Sequence, residues 1–272
     1  MGLEWRRGRA QVADRSINIK GLAVRVADGV ARLMFPPACG GCRRHVSRPG
    51  TLCGRCWQDL RFLEEPWCAV LGTPFEHDQG EGAVSPAAMA DPPPFARARS
   101  AVAYEGVARR MVHDLKFRGR TELAPWMAGW MARAGRDLLD DADLLAAVPL
   151  HGRRFLWRGF NQSAELARAL SRQRGLSFEP GIVRRRRSTR QQVGLRANER
   201  RDNVRGAFAV PDAMLAQVRG RRIVLVDDVF TTGATVSAVA ALLMRKGAGR
   251  VDVLTFARAM PGDFAGEAAE TI

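Results

Sequence analysis

Asp227 and Asp228 stand side by side, and Thr231, Thr232, Gly233, Ala234 and Thr235 follow them after two apolar residues. Each half of that stretch suits a different part of one ligand. A Thr/Gly turn that opens a helix aims backbone N–H groups and hydroxyls at one point, backed by the helix dipole, and a phosphate fits there. Gly233 lets the backbone approach closely and take a conformation that a β-carbon would obstruct. Two adjacent carboxylates repel a phosphate, but they accept hydrogen bonds from vicinal hydroxyls and can help to place Mg2+. A phosphate at one end and a diol at the other describe a sugar phosphate. The competing account is an acidic strand end followed by an ordinary Thr-rich helix cap.

A second constellation lies nearer the N-terminus: Cys39-Gly-Gly-Cys42, ten residues, then Cys53-Gly-Arg-Cys56. Two such knuckles supply four thiolates for tetrahedral Zn2+, and with sulfur in all four positions the ion is structural, not catalytic. Disulfides are the competing account, disfavoured if the chain is cytoplasmic, where thiols stay reduced. Cys68, His45 and His77 have no partner at ligand spacing and read as structural or solvated.

Basic residues gather in two further places. Residues 144–148 form an apolar run cut off by Pro149, and Arg153, Arg154 and Arg158 follow it. Anionic ligands bind at the carboxyl ends of strands in open α/β sheets, so these three arginines are candidates for meeting a pyrophosphate. Residues 183–206, which include Arg187, carry little that could anchor a core. A basic loop there could fold over a bound pyrophosphate and stabilise leaving-group charge; a solvated charge run is the alternative.

The elements that must position these groups alternate in type. Residues 223–226 are a continuous apolar run, the pattern of a strand buried on both faces, with the two aspartates just beyond its end. A helix is expected over 236–245, with Gly247 and Gly249 as stop signals. Strands are expected over 98–104, 207–210 and 251–257, and helices over 106–117, 122–139 and 162–174, the last capped by Asn161. Leu123, Trp126, Met127, Trp130 and Met131 share one helix face and read as core. The division expected is an extension (1–34), a four-cysteine zinc-ribbon-like domain (35–75), a Gly/Ala/Pro-rich linker (76–94), an α/β domain (95–260) and a disordered tail (261–272).

The chain of 272 residues is long enough for more than one domain. No apolar run approaches the ~18 residues of a membrane span, and the first residues lack a signal-peptide core, so the chain reads as cytoplasmic. A net charge of +15 favours polyanionic partners, pyrophosphate groups or nucleic acid. Only Lys20, Lys116 and Lys246 are lysines, so nearly all of the basic charge is arginine.

Val-Asp-Asp-Val-Phe-Thr-Thr-Gly-Ala-Thr, ending at Thr235, resembles the phosphoribosyl-pyrophosphate (PRPP) motif of type I phosphoribosyltransferases. Several shorter stretches extend the likeness: Phe35-Pro-Pro-Ala-Cys39, Tyr104-Glu-Gly, Leu115-Lys-Phe117, Val148-Pro-Leu-His151, Arg158-Gly-Phe-Asn-Gln162 and Asn203-Val-Arg-Gly-Ala-Phe208. With these and the Arg187, Thr189 and Gln192 pattern, roughly residues 34–258 resemble the ComF/GntX family. The resemblance implies a type I phosphoribosyltransferase fold, an α/β parallel sheet flanked by helices, with a small N-terminal zinc-binding domain. It implies PRPP bound with Mg2+, the ribose hydroxyls on Asp227 and Asp228 and the 5′-phosphate on residues 231–235. An enzyme of this kind would form an N-glycoside and release pyrophosphate. A non-catalytic PRPP or nucleotide sensor, or an adaptor that contacts single-stranded DNA or a DNA-processing protein in competence, is the alternative. The chain departs from many relatives at Cys68, where a further C-x2-C pair has lost its second thiol, so one zinc is expected and not two.

Overall fold

The computed structural model describes residues 36–48, 50–150, 159–186 and 206–260. Arg153, Arg154, Arg158 and Arg187 lie outside the described residues, as do the expected extension and tail.

Four parallel strands form the central sheet: β1 (Ala98–Ala103), β2 (Leu144–Ala147), β5 (Arg222–Phe230) and β6 (Arg250–Arg258). Their order is β1-β6-β5-β2. A separate antiparallel ribbon joins β3 (Arg184–Arg185) to β4 (Phe208–Ala209). The helices are α1 (Gly54–Gln58), α2 (Pro86–Ala90), α3 (Gly106–Phe117), α4 (Ala124–Ala134), α5 (Arg136–Leu139), α6 (Gln162–Arg174), α7 (Leu215–Val218) and α8 (Ala234–Arg245). All six residues of β1 are buried, as are all four of β2. Near-continuous burial of this kind belongs to a parallel sheet covered on both faces.

Two apolar cores lie on the two faces. One gathers α3, α4 and α6 through Met111, Leu115, Met127, Met131, Leu166 and Leu170. The other gathers α8 and the ribbon through Val236, Val239, Leu243, Val183 and Phe208. Helix α6 follows β2 and α8 follows β5, so the helices after these two neighbouring strands leave to opposite faces. A crevice opens between strand ends at such a point, and ligands of open α/β sheets sit there.

Three expectations are corrected. The strand expected to end at Val226 runs on to Phe230, because pairing with β6 continues through Asp227↔Thr255 and Phe230↔Arg258. Asp227 and Asp228 are therefore inside β5. They lie past the end of β2, whose last strand partner of β5 is Ala147, so that edge of β5 is open beside them. The helix expected over 122–139 breaks at Gly135, which caps α4 and whose Cβ would lie 2.6 Å from Leu254. Finally, the cysteine module is not held off by a linker. Leu63 N donates to Ala101 O and Ala103 N to Arg61 O, so residues 61–63 lie along β1, and α2, capped by Ser85, sits within 76–94.

Cys39, Cys56 and Leu60 belong to the same core as Val107 and Met111 of α3. The module also caps that helix. Asp59 Oδ2 accepts from Val107 N at 3.0 Å, supplying a cap that Glu105, at the N-cap position, does not. Gly106 has φ 45°, and a Cβ there would lie 2.6 Å from Asp59 Oδ2, so a side chain at this position would displace the cap.

Candidate functional site

The crevice between β2 and β5 is built from four elements. Strand β5 supplies Asp227, half-buried, and Asp228, buried. Asp227 Oδ1 accepts from Ser163 Oγ at 2.8 Å and from Asp228 N at 2.9 Å. Its Oδ2 accepts nothing among the described residues.

Ser163 is placed by the start of α6. Asn161 Oδ1 caps the helix by accepting from Ser163 N at 3.1 Å, while Asn161 Nδ2 donates to Val148 O at 3.0 Å. One side chain thus ties the end of β2 to the beginning of α6, and the Ser163 hydroxyl is held on the first aspartate. This cap was legible in the sequence; the role of the serine behind it was not.

Asp228 is held from the face of the sheet that α3 covers. Lys116, in the last turn of α3, places Nζ 2.6 Å from Asp228 Oδ2, and Asp228 Oδ1 accepts from Val229 N at 2.9 Å. Burial works to lower the Lys116 pKa, but the facing carboxylate outweighs it and holds the ammonium above its ordinary value. Lys116 is the second group that sequence reasoning missed. A signal existed: it is one of only three lysines among 43 basic residues. A compact ammonium can meet one buried carboxylate oxygen at a point, where the planar fork of arginine needs two acceptors and more room.

Burial and the adjacent Asp228 charge push the Asp227 pKa up to about 7, against the opposing pull of the Ser163 hydroxyl and the Lys116 charge. The folded protein therefore keeps a proton on Asp227 over a range where the unfolded chain has released it. Folded-state binding exceeds unfolded-state binding between about pH 4 and pH 7, so Asp227 removes stability as pH rises through that window and changes nothing further above it. In denaturant titrations the stability of Asp227→Asn relative to the native chain is expected to climb from about pH 4 to about pH 7 and then level off. A difference independent of pH would show that the residue titrates normally.

After Phe230 the chain turns through Thr231, Thr232 and Gly233 into α8, with Ala234 and Thr235 already in the first helical turn. Gly233 is the N-cap residue, with φ 74° and ψ −2°, and a Cβ there would lie 2.8 Å from the Phe230 ring. Both the left-handed backbone and the close approach require glycine. Among the described residues the N–H groups of Thr232, Gly233 and Ala234 donate to no acceptor. Those of Gly233 and Ala234 are orphan donors at the start of a twelve-residue helix, backed by its positive dipole end, and that of Thr232 lies one residue ahead of them.

The four cysteines of the N-terminal module come together as their spacing predicts. Their Sγ atoms all lie within 4.8 Å of one another, and they are the one group of three or more Cys, His, Asp or Glu ligands found among the described residues. Gly41 is packed between Val107 and Cys56, where a Cβ would meet Val107 Cγ1 at 2.8 Å and Cys56 Sγ at 3.1 Å. Burial works to raise the Cys39 thiol, yet backbone N–H groups of Cys42, Cys53 and Gly41 hold its anion and bring the pKa to about 6. Burial and the three neighbouring sulfurs drive Cys56 the other way. Four thiolates this close need a dication, and the donor set and its spread fit Zn2+. Cys68 lies outside this group, buried, its sulfur accepting from Leu71 N at 3.3 Å and Ser85 N at 3.2 Å.

Residues 30–87 match the Double zinc ribbon domain, and residues 160–265 match the Phosphoribosyl transferase domain. The chain is 33% identical over 234 residues to the DNA utilization protein YhgH of Escherichia coli K12, which covers 84% of this chain and all of that protein. It is 37% identical over 117 residues to Competence protein F of Haemophilus influenzae Rd, 43% of this chain and 51% of that one. Against Competence protein ComFC of Bacillus subtilis 168 the identity is 29% over 150 residues, 55% of this chain and 58% of that one.

Proposed function

Since the chain belongs to the family of the DNA utilization protein YhgH, in which a zinc ribbon precedes a phosphoribosyltransferase domain, we propose that its crevice binds PRPP. The observation that carries this reading is the run of three orphan amides, Thr232, Gly233 and Ala234, in the turn and helix start that follow a strand carrying two adjacent carboxylates near its end, Asp227 and Asp228. The 5′-phosphate accepts from those amides and from the hydroxyls of Thr231, Thr232 and Thr235. The ribose 2′- and 3′-hydroxyls donate to Asp227 and Asp228. Lys116 holds Asp228 in place, and Ser163 orients Asp227.

Mg2+ fits the same end of the site, where Asp227 Oδ2 accepts from no described residue. When bound it neutralises pyrophosphate charge. Arg153, Arg154, Arg158 and Arg187 are assigned to the pyrophosphate by sequence position alone. Among the described residues no side chain near the crevice is a strong nucleophile, so transfer of the pentosyl group would rest on positioning and charge stabilisation, with an acceptor nitrogen attacking C1 as pyrophosphate leaves. We assign the activity to DNA utilisation on the strength of the relatives' names.

Calorimetric titration of the zinc-loaded protein with PRPP tests the reading. One saturable site, tightened by Mg2+, is expected; no heat at millimolar PRPP would sink it. Pyrophosphate release with a panel of bases then separates an enzyme, which releases it, from a sensor, which binds PRPP without turnover.

A further inference from the structure

The Double zinc ribbon match over residues 30–87 implies a second metal beside the four-thiol group. Residues 66–90 do repeat the backbone of the first ribbon, almost bond for bond. In the first, Cys39 N donates to Arg44 O at 2.7 Å and Arg43 N to Cys39 O at 3.0 Å. In the second, Cys68 N donates to Thr73 O at 2.9 Å and Gly72 N to Cys68 O at 2.8 Å. The flanking bonds repeat as well, Val46 N to Pro37 O and Phe75 N to Pro66 O. Each knuckle turns through a left-handed residue at the same place, Arg43 at φ 64° and Gly72 at φ 63°. Cys39 Sγ accepts from Cys53 N and Cys68 Sγ from Ser85 N, both at 3.2 Å. Cys53 and Ser85 in turn are the N-cap residues of two five-residue helices, α1 and α2.

That correspondence fixes four metal positions in the second ribbon. Cys39, Cys42, Cys53 and Cys56 align with Cys68, Leu71, Ser85 and Ala88. One thiol, an alkyl chain, a methyl group and a hydroxyl that accepts from Ala88 N do not fit Zn2+, which takes four strong donors.

The second knuckle is held in another way. Three successive carbonyls, those of Ala69, Val70 and Leu71, each meet a donor from the central sheet. Arg99 Nη1 donates to Ala69 O at 3.1 Å, Ala98 N to Val70 O at 2.7 Å, and Arg258 Nη2 to Leu71 O. Arg99 and Arg258 are each 6% exposed, and the Nε of each has no partner among the described residues. Burying a guanidinium is costly unless what it holds repays the desolvation. Arg258 holds the knuckle on one side and lies 4.1 Å from the centre of the Phe230 ring, which packs beside Gly233, on the other.

We infer that residues 66–90 are a second ribbon that folds without a metal, its knuckle fastened to the sheet by Arg99 and Arg258 where zinc fastens the first.

Zinc content tests the positions. The native chain is expected to hold one equivalent and Leu71→Cys/Ser85→Cys/Ala88→Cys two, counted with a chromogenic chelator after unfolding. Two equivalents in the native chain would overturn the inference, as would one equivalent in a triple variant that unfolds no earlier than the native chain. A second measurement does not depend on that variant folding. Cys68 is buried, so its alkylation by iodoacetamide in the zinc-loaded chain, located by peptide mass, reports local opening of the second ribbon. Arg258→Met is expected to raise the Cys68 rate about tenfold with zinc content unchanged, the opening that follows loss of a charged hydrogen bond. Arg245→Ala, at the exposed end of α8, is expected to leave the rate within about twofold of native. An Arg258→Met rate no higher than this control, or a rise shared equally by the four zinc thiols, would show that the arginine does not fasten this ribbon.

Discussion

Asp228→Asn is expected to lower PRPP affinity about a hundredfold, since hydrogen bonds to a charged acceptor contribute ~1.5–3 kcal/mol each. It is also expected to destabilise the protein, for a reason unconnected with PRPP. Lys116 Nζ sits 2.6 Å from Asp228 Oδ2, with the carboxylate only 6% exposed and the lysine side chain 22%. Removing one partner of a buried pair leaves the other charge uncompensated and costs about 3 kcal/mol. The two effects separate in a double variant. Lys116→Met/Asp228→Asn removes both charges, and most of the lost stability is expected to return while PRPP affinity stays low. Denaturant midpoints and calorimetry on the two single variants and the double one give the answer. Recovery of PRPP binding in the double variant would show that the aspartate served only to neutralise the lysine, and the ribose assignment would fail.

The second large effect is at the knuckles. Cys56→Ser is expected to reduce bound zinc from one equivalent per chain to none. The accompanying loss of stability is about 5 kcal/mol or more, a fraction of the ~10–16 kcal/mol apparent binding energy of structural zinc. Cys56 is 3% exposed and lies in the core that α3 and α4 share, so the damage spreads beyond the ribbon. Cys68→Ser is the control. Its sulfur accepts from backbone N–H groups, those of Leu71 and Ser85, and lies outside the four-thiol group, so the variant keeps its zinc and loses about 1 kcal/mol. Metal content by a chromogenic chelator and unfolding midpoints measure both. A full zinc equivalent retained by Cys56→Ser would remove this residue from the ligand set.

Local chemistry was the legible part of the chain. The bounds of α3 and α6 match their sequence signals residue for residue, because a glycine or a capping asparagine starts each and the apolar spacing carries it on. The four-thiol group follows from knuckle spacing alone. The failures share a physical cause, which is that tertiary pairing overrides local pattern. The apolar run of β5 ends at Val226, but the ladder to β6 continues to Phe230. Residues 72–94 have the composition of a linker, yet the segment just before them runs along β1 and Ser85 N reaches Cys68. Lys116 and Ser163 gain their roles only when two helices distant in sequence converge on one strand end. Helical spacing places Lys116 beside the apolar face of α3; it does not say what lies opposite.

Helix α3 is gripped at both ends by carboxylates from other elements. Asp59 of the metal module holds its first turn, and Asp228 of the crevice holds its last. A rod clamped in this way makes the occupancy of each clamp a thermodynamic variable of the other, and reciprocity requires the two influences to be equal in size. On the proposal that the crevice binds PRPP, an oxidant that strips the ribbon of its metal would register, through nothing more than the seating of one twelve-residue helix, as a change in how firmly that ligand is held.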